Sequence, residues 1–242
     1  MISVTILTKN SERTLARTLD SLKPFSEVIL LDTGSNDKTL EIAKSYPNAR
    51  IHKMAFIGFG PLHNLASSLA SHDWILSIDS DEILTEPLAN EIANLALNPE
   101  EIYLLKRANY LNGKRIRGCG GWSPDSVARL YHRQKSAFTE DLVHERVKSS
   151  HLKKVHLKHT LIHTPYLETR DFLSKMQQYT ALFAQQTERA SSPFWKILLH
   201  SWFAFFKSYI LKGGFLMGKE GYIISAYNSH TTFYKYLKLK DL

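Results

Sequence analysis

Cysteine is almost absent from the 242-residue sequence, in which Cys119 stands alone. An internal disulfide is therefore excluded, and so is a cysteine-built metal cluster, which suits a reducing compartment. Long apolar runs are missing as well. In the most hydrophobic stretch, residues 194–207, the longest uncharged run is the ten residues 197–206, too short to cross a bilayer as a helix. No repeat or low-complexity tract interrupts the chain. Met1 leads directly into Ile2-Ser3-Val4-Thr5-Ile6-Leu7, which reads as a strand with no basic leader, so no signal peptide is expected. Helix-turn-helix, zinc and RNA-binding signatures are also lacking, and the net charge of +8 does not by itself imply a nucleic-acid partner.

The composition present is that of a folded protein, and the length fits one α/β domain with an appendage. The charge is unevenly spread. Residues 1–105 carry 8 Lys/Arg against 14 Asp/Glu, whereas residues 106–158 carry 13 against 4 and residues 190–242 carry 7 against 2. Acidic groups dominate the first half, and basic groups gather where a phosphorylated substrate or an anionic membrane could be met.

Strands are expected at 2–8, 27–31, 49–54, 74–78 and 102–106, separated by helices at 14–22, 39–45, 62–70 and 87–97. That alternation predicts a mostly parallel, doubly wound sheet, in which ligands bind beyond the carboxyl ends of the strands. Asn10, Asp32 and Asp79 each fall at such an end. Further strands are expected at 126–131 and 155–157, with a glycine-rich loop around Gly118-Cys119-Gly120-Gly121-Trp122. Helices at 168–189 and 193–212 and an irregular aromatic tail complete the chain. The expected division is a catalytic domain over 1–165 and a helical, basic-aromatic region over 166–242.

Two clusters of ionisable groups carry chemistry. Asp79-Ser80-Asp81-Glu82 crowds three acids at the end of an apolar strand. Such crowding is costly unless a hard cation neutralises it, and Mg²⁺ or Mn²⁺ carrying a nucleotide diphosphate meets that need. A solvated turn charging the next helix is the plainer alternative. Glu140-Asp141-Leu142-Val143-His144-Glu145 is the second cluster.

Thr8-Lys9-Asn10, then Leu31-Asp32-Thr33-Gly34-Ser35-Asn36-Asp37, then Asp79-Ser80-Asp81 together resemble a family 2 (GT-A type) glycosyltransferase. Val143-His144-Glu145 and the tail 218–239 resemble the bacterial subgroup that builds lipopolysaccharide inner core. The resemblance implies a GT-A fold and a nucleotide-sugar donor, most simply a UDP-sugar. It also implies a lipid-linked saccharide acceptor, met at the inner face of the cytoplasmic membrane. Thr8, Asn10, Glu12, Asp32 and Gly34 would then surround the nucleoside, with Asp32 on the base and Asp79 toward the ribose. Asp81, with Asp79 beside it and His144 as a further ligand, would hold the metal. The family is inverting and needs a carboxylate base, for which Glu145 is the first choice and Asp141 the second, ahead of Glu140.

Plainer roles stand beside these. Asp32 could hydrogen-bond its own turn, Asp37 fits a helix cap, and Cys119 fits a small loop residue. Arg129 and Arg133 read more simply as surface charges than as phosphate ligands. The 194–207 stretch is either a core helix or a membrane-interface helix, since Lys196, His200 and Lys207 share one narrow side. Transfer to a polyprenyl phosphate, sugar nucleotidyl transfer and a catalytically inactive nucleotide-binding scaffold are the competing functions.

Overall fold

A computed structural model describes residues 1–120, 122–123, 125–142, 145–186 and 193–240. Two compact units emerge. One comprises 1–107 and 126–163; the other comprises 108–125 and 164–242.

The first unit begins with β1 (Ile2–Thr8), α1 (Leu15–Ser21), β2 (Val28–Asp32), α2 (Thr39–Lys44) and β3 (Ala49–Lys53). Then come α3 (Phe59–Ser68), β4 (Trp74–Asp79), β5 (Glu82–Leu84) and α4 (Glu86–Ala93). Every residue of β2 is buried, as expected for an apolar run in a strand covered on both faces. Two hydrophobic layers sandwich the strands. Val4, Ile6, Leu30, Leu76 and Ile78 face one, where α1 adds Leu15 and Leu19. Ile29, Leu31 and Ile75 face the other, where α3 adds Leu62 and Ala66. Period-two alternation along the strands explains the division. Thr85 starts α4 by accepting a hydrogen bond from the Leu88 N–H at 3.4 Å, with Pro87 in the first turn, an arrangement suited to a helix entry.

Strands β6 (Glu101–Leu111), β7 (Lys114–Arg115), β8 (Ser126–His132) and β9 (Lys153–Tyr166) follow. Among the described residues, the sheet order is β3-β2-β1-β4-β8-β6-β9-β5, with β7 paired to β6. The α/β architecture is as expected, but the sheet is mixed. β3, β2, β1 and β4 are parallel neighbours. β8 lies antiparallel between β4 and β6, and β5 pairs antiparallel with β9. β6 therefore keeps the direction of β4, as the alternation requires, but β8 separates the two. After residue 101 no helix intervenes before β8 among the described residues, and antiparallel neighbours need none.

In the second unit, Leu111, Ile116, Cys119, Trp122, Phe172 and Ile224 form a small core. Cys119 is buried; its backbone N–H donates to the Lys212 carbonyl at 2.8 Å and its carbonyl accepts from Ser208 Oγ at 3.0 Å. Helices α5 (Thr169–Gln186), α6 (Phe194–Phe206) and α7 (Lys219–Leu237) make up the rest. The tail is thus a 19-residue helix and not irregular. Aromatics all round α7 hide a single apolar stripe, and Gly221 lets it approach the Gly214 carbonyl more closely than any side chain would allow.

Candidate active site

The carboxyl ends of β1, β2 and β4 lie side by side, with Thr8 paired to Asp32 and Leu7 to Asp79. The loops leaving β1 and β2 are laced together. Asn10, at φ +52°, accepts the Asn36 N–H on Oδ1 at 2.9 Å, and its own N–H donates to Ser35 Oγ at 2.9 Å. The Ser11 N–H donates to Thr39 Oγ1 at 2.7 Å. The Glu12 N–H donates to Asp37 Oδ2, and Glu12 Oε2 accepts the Lys38 N–H, each at 3.1 Å. Asp37 also accepts the Thr39 N–H at 3.0 Å, so it supports the start of α2.

Asp32 is buried and holds its own loop. Its carboxylate accepts the Gly34 N–H at 3.1 Å, the Ser35 N–H and the Ser35 hydroxyl. Gly34 has φ +103° with open space where a Cβ would stand; the backbone angle, not crowding, asks for glycine. Thr8 is buried, and its hydroxyl has no hydrogen-bond partner among the described residues. Thr8, Asn10, Glu12, Asp32 and Gly34 thus come together in one preformed loop pair. Ser11 ties that pair to the acidic cluster through Ser80 Oγ at 2.9 Å.

The acids after β4 separate into two roles. Asp79 accepts a hydrogen bond from Arg129 Nη2, and the same nitrogen donates to Glu82 Oε1 at 2.8 Å. Arg107 reaches Glu82 Oε1 at 3.2 Å and lies 4.0 Å from Asp79. Glu82 is fully buried and also accepts the Asp79 N–H at 2.9 Å. Arg129 is 6% exposed, so its reading as a surface charge is overturned. Burial alone would raise the Asp79 carboxyl; the adjoining Arg129 guanidinium outweighs it and holds the group below its usual range. The expected metal flank Asp79 is therefore engaged by an arginine. Arg133 clamps the end of α3, donating to the Ser67 and Ala70 carbonyls at 3.1 and 2.7 Å and to Asp73 at 2.9 Å; a cation is favoured there.

Asp81 points elsewhere, with Oδ1 3.5 Å from His163 Nε2. The antiparallel pairing of Glu82 with His163 brings the two together. Among the described residues no group of three or more His, Cys, Asp or Glu is arranged to hold a metal ion. One carboxylate and one imidazole still fit a divalent cation that shares a diphosphate, because such ions retain water and phosphate oxygens. His144, the other expected ligand, lies outside the described residues.

The segment leading to Glu145 is pinned on α3. Phe138 bridges Val147, the Thr139 N–H donates to the Arg146 carbonyl at 2.9 Å, and Asn64 Nδ2 donates to Glu140 Oε1 at 2.7 Å. The Phe59 and Gly60 N–H groups donate to the Leu142 and Asp141 carbonyls at 3.2 and 3.1 Å. Orphan donors at a helix start are thereby satisfied. A Cβ on Gly60 would stand 1.8 Å from the Thr139 carbonyl oxygen, an impossible contact with backbone. Gly60→Ala is expected to push residues 139–142 off α3 and cost about 2–3 kcal/mol. Thermal melting together with the transfer rate checks this; an unchanged melt would refute the close packing.

Glu145 Oε1 lies 3.8 Å from His63 Nε2, beyond hydrogen-bond length. Burial, aided by the charges of Asp79 and Asp141, raises the Glu145 carboxyl to about 7. Burial lowers His63 to about 4, so at neutral pH this histidine is uncharged. It stacks on Phe138 with centroids 4.2 Å apart and meets Ser77 Oγ at 3.2 Å. His63, Arg107 and His163 are the residues missed as site candidates. His63 follows Leu62 and precedes Ala66 by three, which places it on the buried face of α3. Arg129 alternates with Tyr131 along β8, the comparable signal for that arginine.

A carboxylate poised near neutrality, a carboxylate–imidazole pair and a laced loop at strand ends suit proton abstraction beside a bound nucleotide. Known proteins agree in fold and class. The chain is 27% identical over 236 residues to the lipopolysaccharide core biosynthesis glycosyltransferase LpsC of Rhizobium meliloti (strain 1021), covering 92% of this chain and 85% of that one. It is 26% identical over 259 residues to the uncharacterized glycosyltransferase RT0209 of Rickettsia typhi (strain ATCC VR-144 / Wilmington), covering 100% and 87%. Among solved structures, Staphylococcus aureus TarS 1–349 in complex with UDP-GlcNAc superposes with TM-score 0.50 at 17% identity, covering 99% and 90%. Glucosyl-3-phosphoglycerate synthase of Mycobacterium tuberculosis, in complex with Mn²⁺, UDP and phosphoglyceric acid, does so with TM-score 0.50 at 21% identity, covering 79% and 80%. The fold is therefore GT-A. The glycosyl transferase family 2 model matches residues 3–150, more than half of the chain, and the chain belongs to that family of glycosyltransferases.

Proposed function

We propose that this glycosyltransferase moves a sugar from a UDP-sugar to a lipid-linked saccharide such as lipopolysaccharide core, with inversion at the anomeric carbon. The observation that carries the reading is Glu145, partly buried beside neutral His63 with its carboxyl raised to about 7. A base must lose its proton near the working pH yet remain strong enough to accept another. In the reaction, the acceptor hydroxyl oxygen attacks the anomeric carbon as Glu145 takes its proton. The bond to the diphosphate oxygen breaks, and the electron pair leaves with UDP. A single displacement inverts the centre.

The laced loops would hold the nucleoside, with Thr8, Asn10, Glu12 and Gly34 shaping the cradle and Asp32 keeping it rigid. Residues 1–106 then serve the donor, while those up to 165 supply the base and arginines. Asp81 and His163, assisted by His144, would hold Mg²⁺ or Mn²⁺, which supplies positive charge to the departing diphosphate. Asp79 stays anionic through Arg129 and faces the donor side. The relative named for lipopolysaccharide core and the neighbour in complex with UDP-GlcNAc support the choice of acceptor and donor.

Calorimetric titration of UDP with and without Mn²⁺ tests the donor site. Wild type is expected to bind in a metal-dependent way, and Asp81→Asn to bind at least about tenfold more weakly with little response to metal. UDP binding that ignores both metal and Asp81 would overturn the metal assignment. With UDP bound, a screen of UDP-sugars against core saccharides identifies the reaction.

A further inference from the structure

Helix α6 is built inside out. Ile197 is its one fully buried apolar residue, and serines hydrogen-bond it to α7, where Phe194, His200 and Phe205 also meet Phe233, Tyr236 and Tyr222. Ser201 Oγ donates to the Ser229 carbonyl at 3.0 Å, and Ser229 Oγ donates to the Ser201 carbonyl at 2.9 Å. One turn beyond α6, Ser208 Oγ accepts from Ser225 Oγ and from Asn228 Nδ2, each at 3.0 Å. Five other large apolar side chains point the other way. Trp195, Leu198, Leu199, Trp202 and Phe203 are all about half exposed or more, Trp202 reaching 64%. Their spacing of three and four places them on one stripe. A monomer in water gains nothing from this arrangement, because ordinary surface helices turn such a stripe toward the core.

We infer that the outward face of α6 is a docking surface for an anionic lipid bilayer, with the helix lying along the interface. Charge selects this occupant. Lys196 and Lys207 flank the stripe on one side, and Lys212 and Lys219 follow it, all four exposed. No Asp or Glu occurs between Glu188 and Glu220. Tryptophan suits the headgroup depth, and lysine stems lie along apolar surface while their ammonium groups meet lipid phosphate. Self-association is disfavoured, since a two-fold contact through this stripe would bring Lys196 and Lys207 near their own copies with no acid to offset them. No described helix is long and apolar enough to cross a membrane, which fits a helix lying on the surface. The inference goes beyond the donor-site reading and does not depend on it.

Sedimentation with vesicles tests it, using phosphatidylcholine alone or mixed with phosphatidylglycerol, and UDP titration on the same preparations. Wild type is expected to pellet with the mixed vesicles, less so at high salt, and to stay in solution with the neutral ones. Trp195→Ser/Trp202→Ser is expected to bind the mixed vesicles about tenfold more weakly. Lys196→Glu/Lys207→Glu is expected to lose the preference for anionic lipid. Wild type that binds UDP yet ignores mixed vesicles would overturn the docking surface. So would light scattering that shows a dimer which the tryptophan variant dissociates. Vesicle binding without UDP binding would leave this surface standing and count against the donor site.

Discussion

Glu145→Gln is expected to leave UDP affinity within about twofold and to lower sugar transfer by roughly 10²–10⁴-fold, the usual worth of a positioned general base. Two further readings separate this from structural damage. The wild-type rate should climb as pH rises through about 7, where the Glu145 carboxyl loses its proton, and then level off. The variant's residual rate should lack that limb. Stability moves in the opposite sense. Because folding raises this carboxyl, the native state holds its proton where the unfolded chain has released it. The associated stability is complete below the ordinary Glu range and is lost as pH rises through about 7. Removing the titrating group should therefore make the variant more stable than wild type above neutrality, by up to about 3 kcal/mol, with little difference below the ordinary Glu range. A variant that is slower and also less stable at pH 8 would count against burial as the cause. Full activity in Glu145→Gln, with the loss appearing in Asp141→Asn, would move the base to Asp141.

Arg129→Met carries the largest expected stability effect. It removes the guanidinium that joins Asp79 to buried Glu82, leaving two carboxylates near each other with Arg107 still beside them. Breaking a buried pair on one side costs about 3–5 kcal/mol, which in a protein of this size lowers the melting temperature by roughly 10 °C or more. Arg129→Lys restores charge but not the shared nitrogen, and should recover only part of the loss. Pairing Arg129→Met with Glu82→Gln should recover more, because one uncompensated charge is gone. The deficit should also shrink in acid. Asp79 is held below its usual range in the native state, so its contribution is present above the ordinary Asp range and fades as pH falls below it. A normal melt for Arg129→Met at pH 7 would refute the network.

Much of the fold was legible because the central strands are apolar runs bounded by turn residues. β1 matches its expected limits, and β2, β3 and β4 fall within a residue of theirs. Their parallel direction followed from helices spaced to cross between parallel neighbours. β8 was seen as a strand, but its place between β4 and β6 is a tertiary choice that no local pattern encodes. β5 is three residues long and pairs with a partner about 80 residues away, so the meeting of Asp81 with His163 was hidden. The acids themselves were visible as an unusual density of charge at a strand end. The arginines that divide them were not, since Arg129 sits among Ala128, Leu130, His132 and Arg133 and reads as part of a basic patch. α7 escaped notice because glycine, serine and asparagine flank Ile224 on its packed side while aromatics lie all round it.

The spread of this network along the chain carries a consequence for synthesis. Glu82 leaves the ribosome before either of its arginines: Arg107 comes 25 residues later and Arg129 a further 22. A nascent chain that already contains β1, β2 and β4 therefore carries its densest acidic cluster without the cations that later neutralise it. Repulsion keeps those carboxylates in water until β6 and β8 arrive. The first half of the sheet cannot close around its own acids ahead of time, and the strand that joins β4 to β6 is also the one that lets Glu82 be buried.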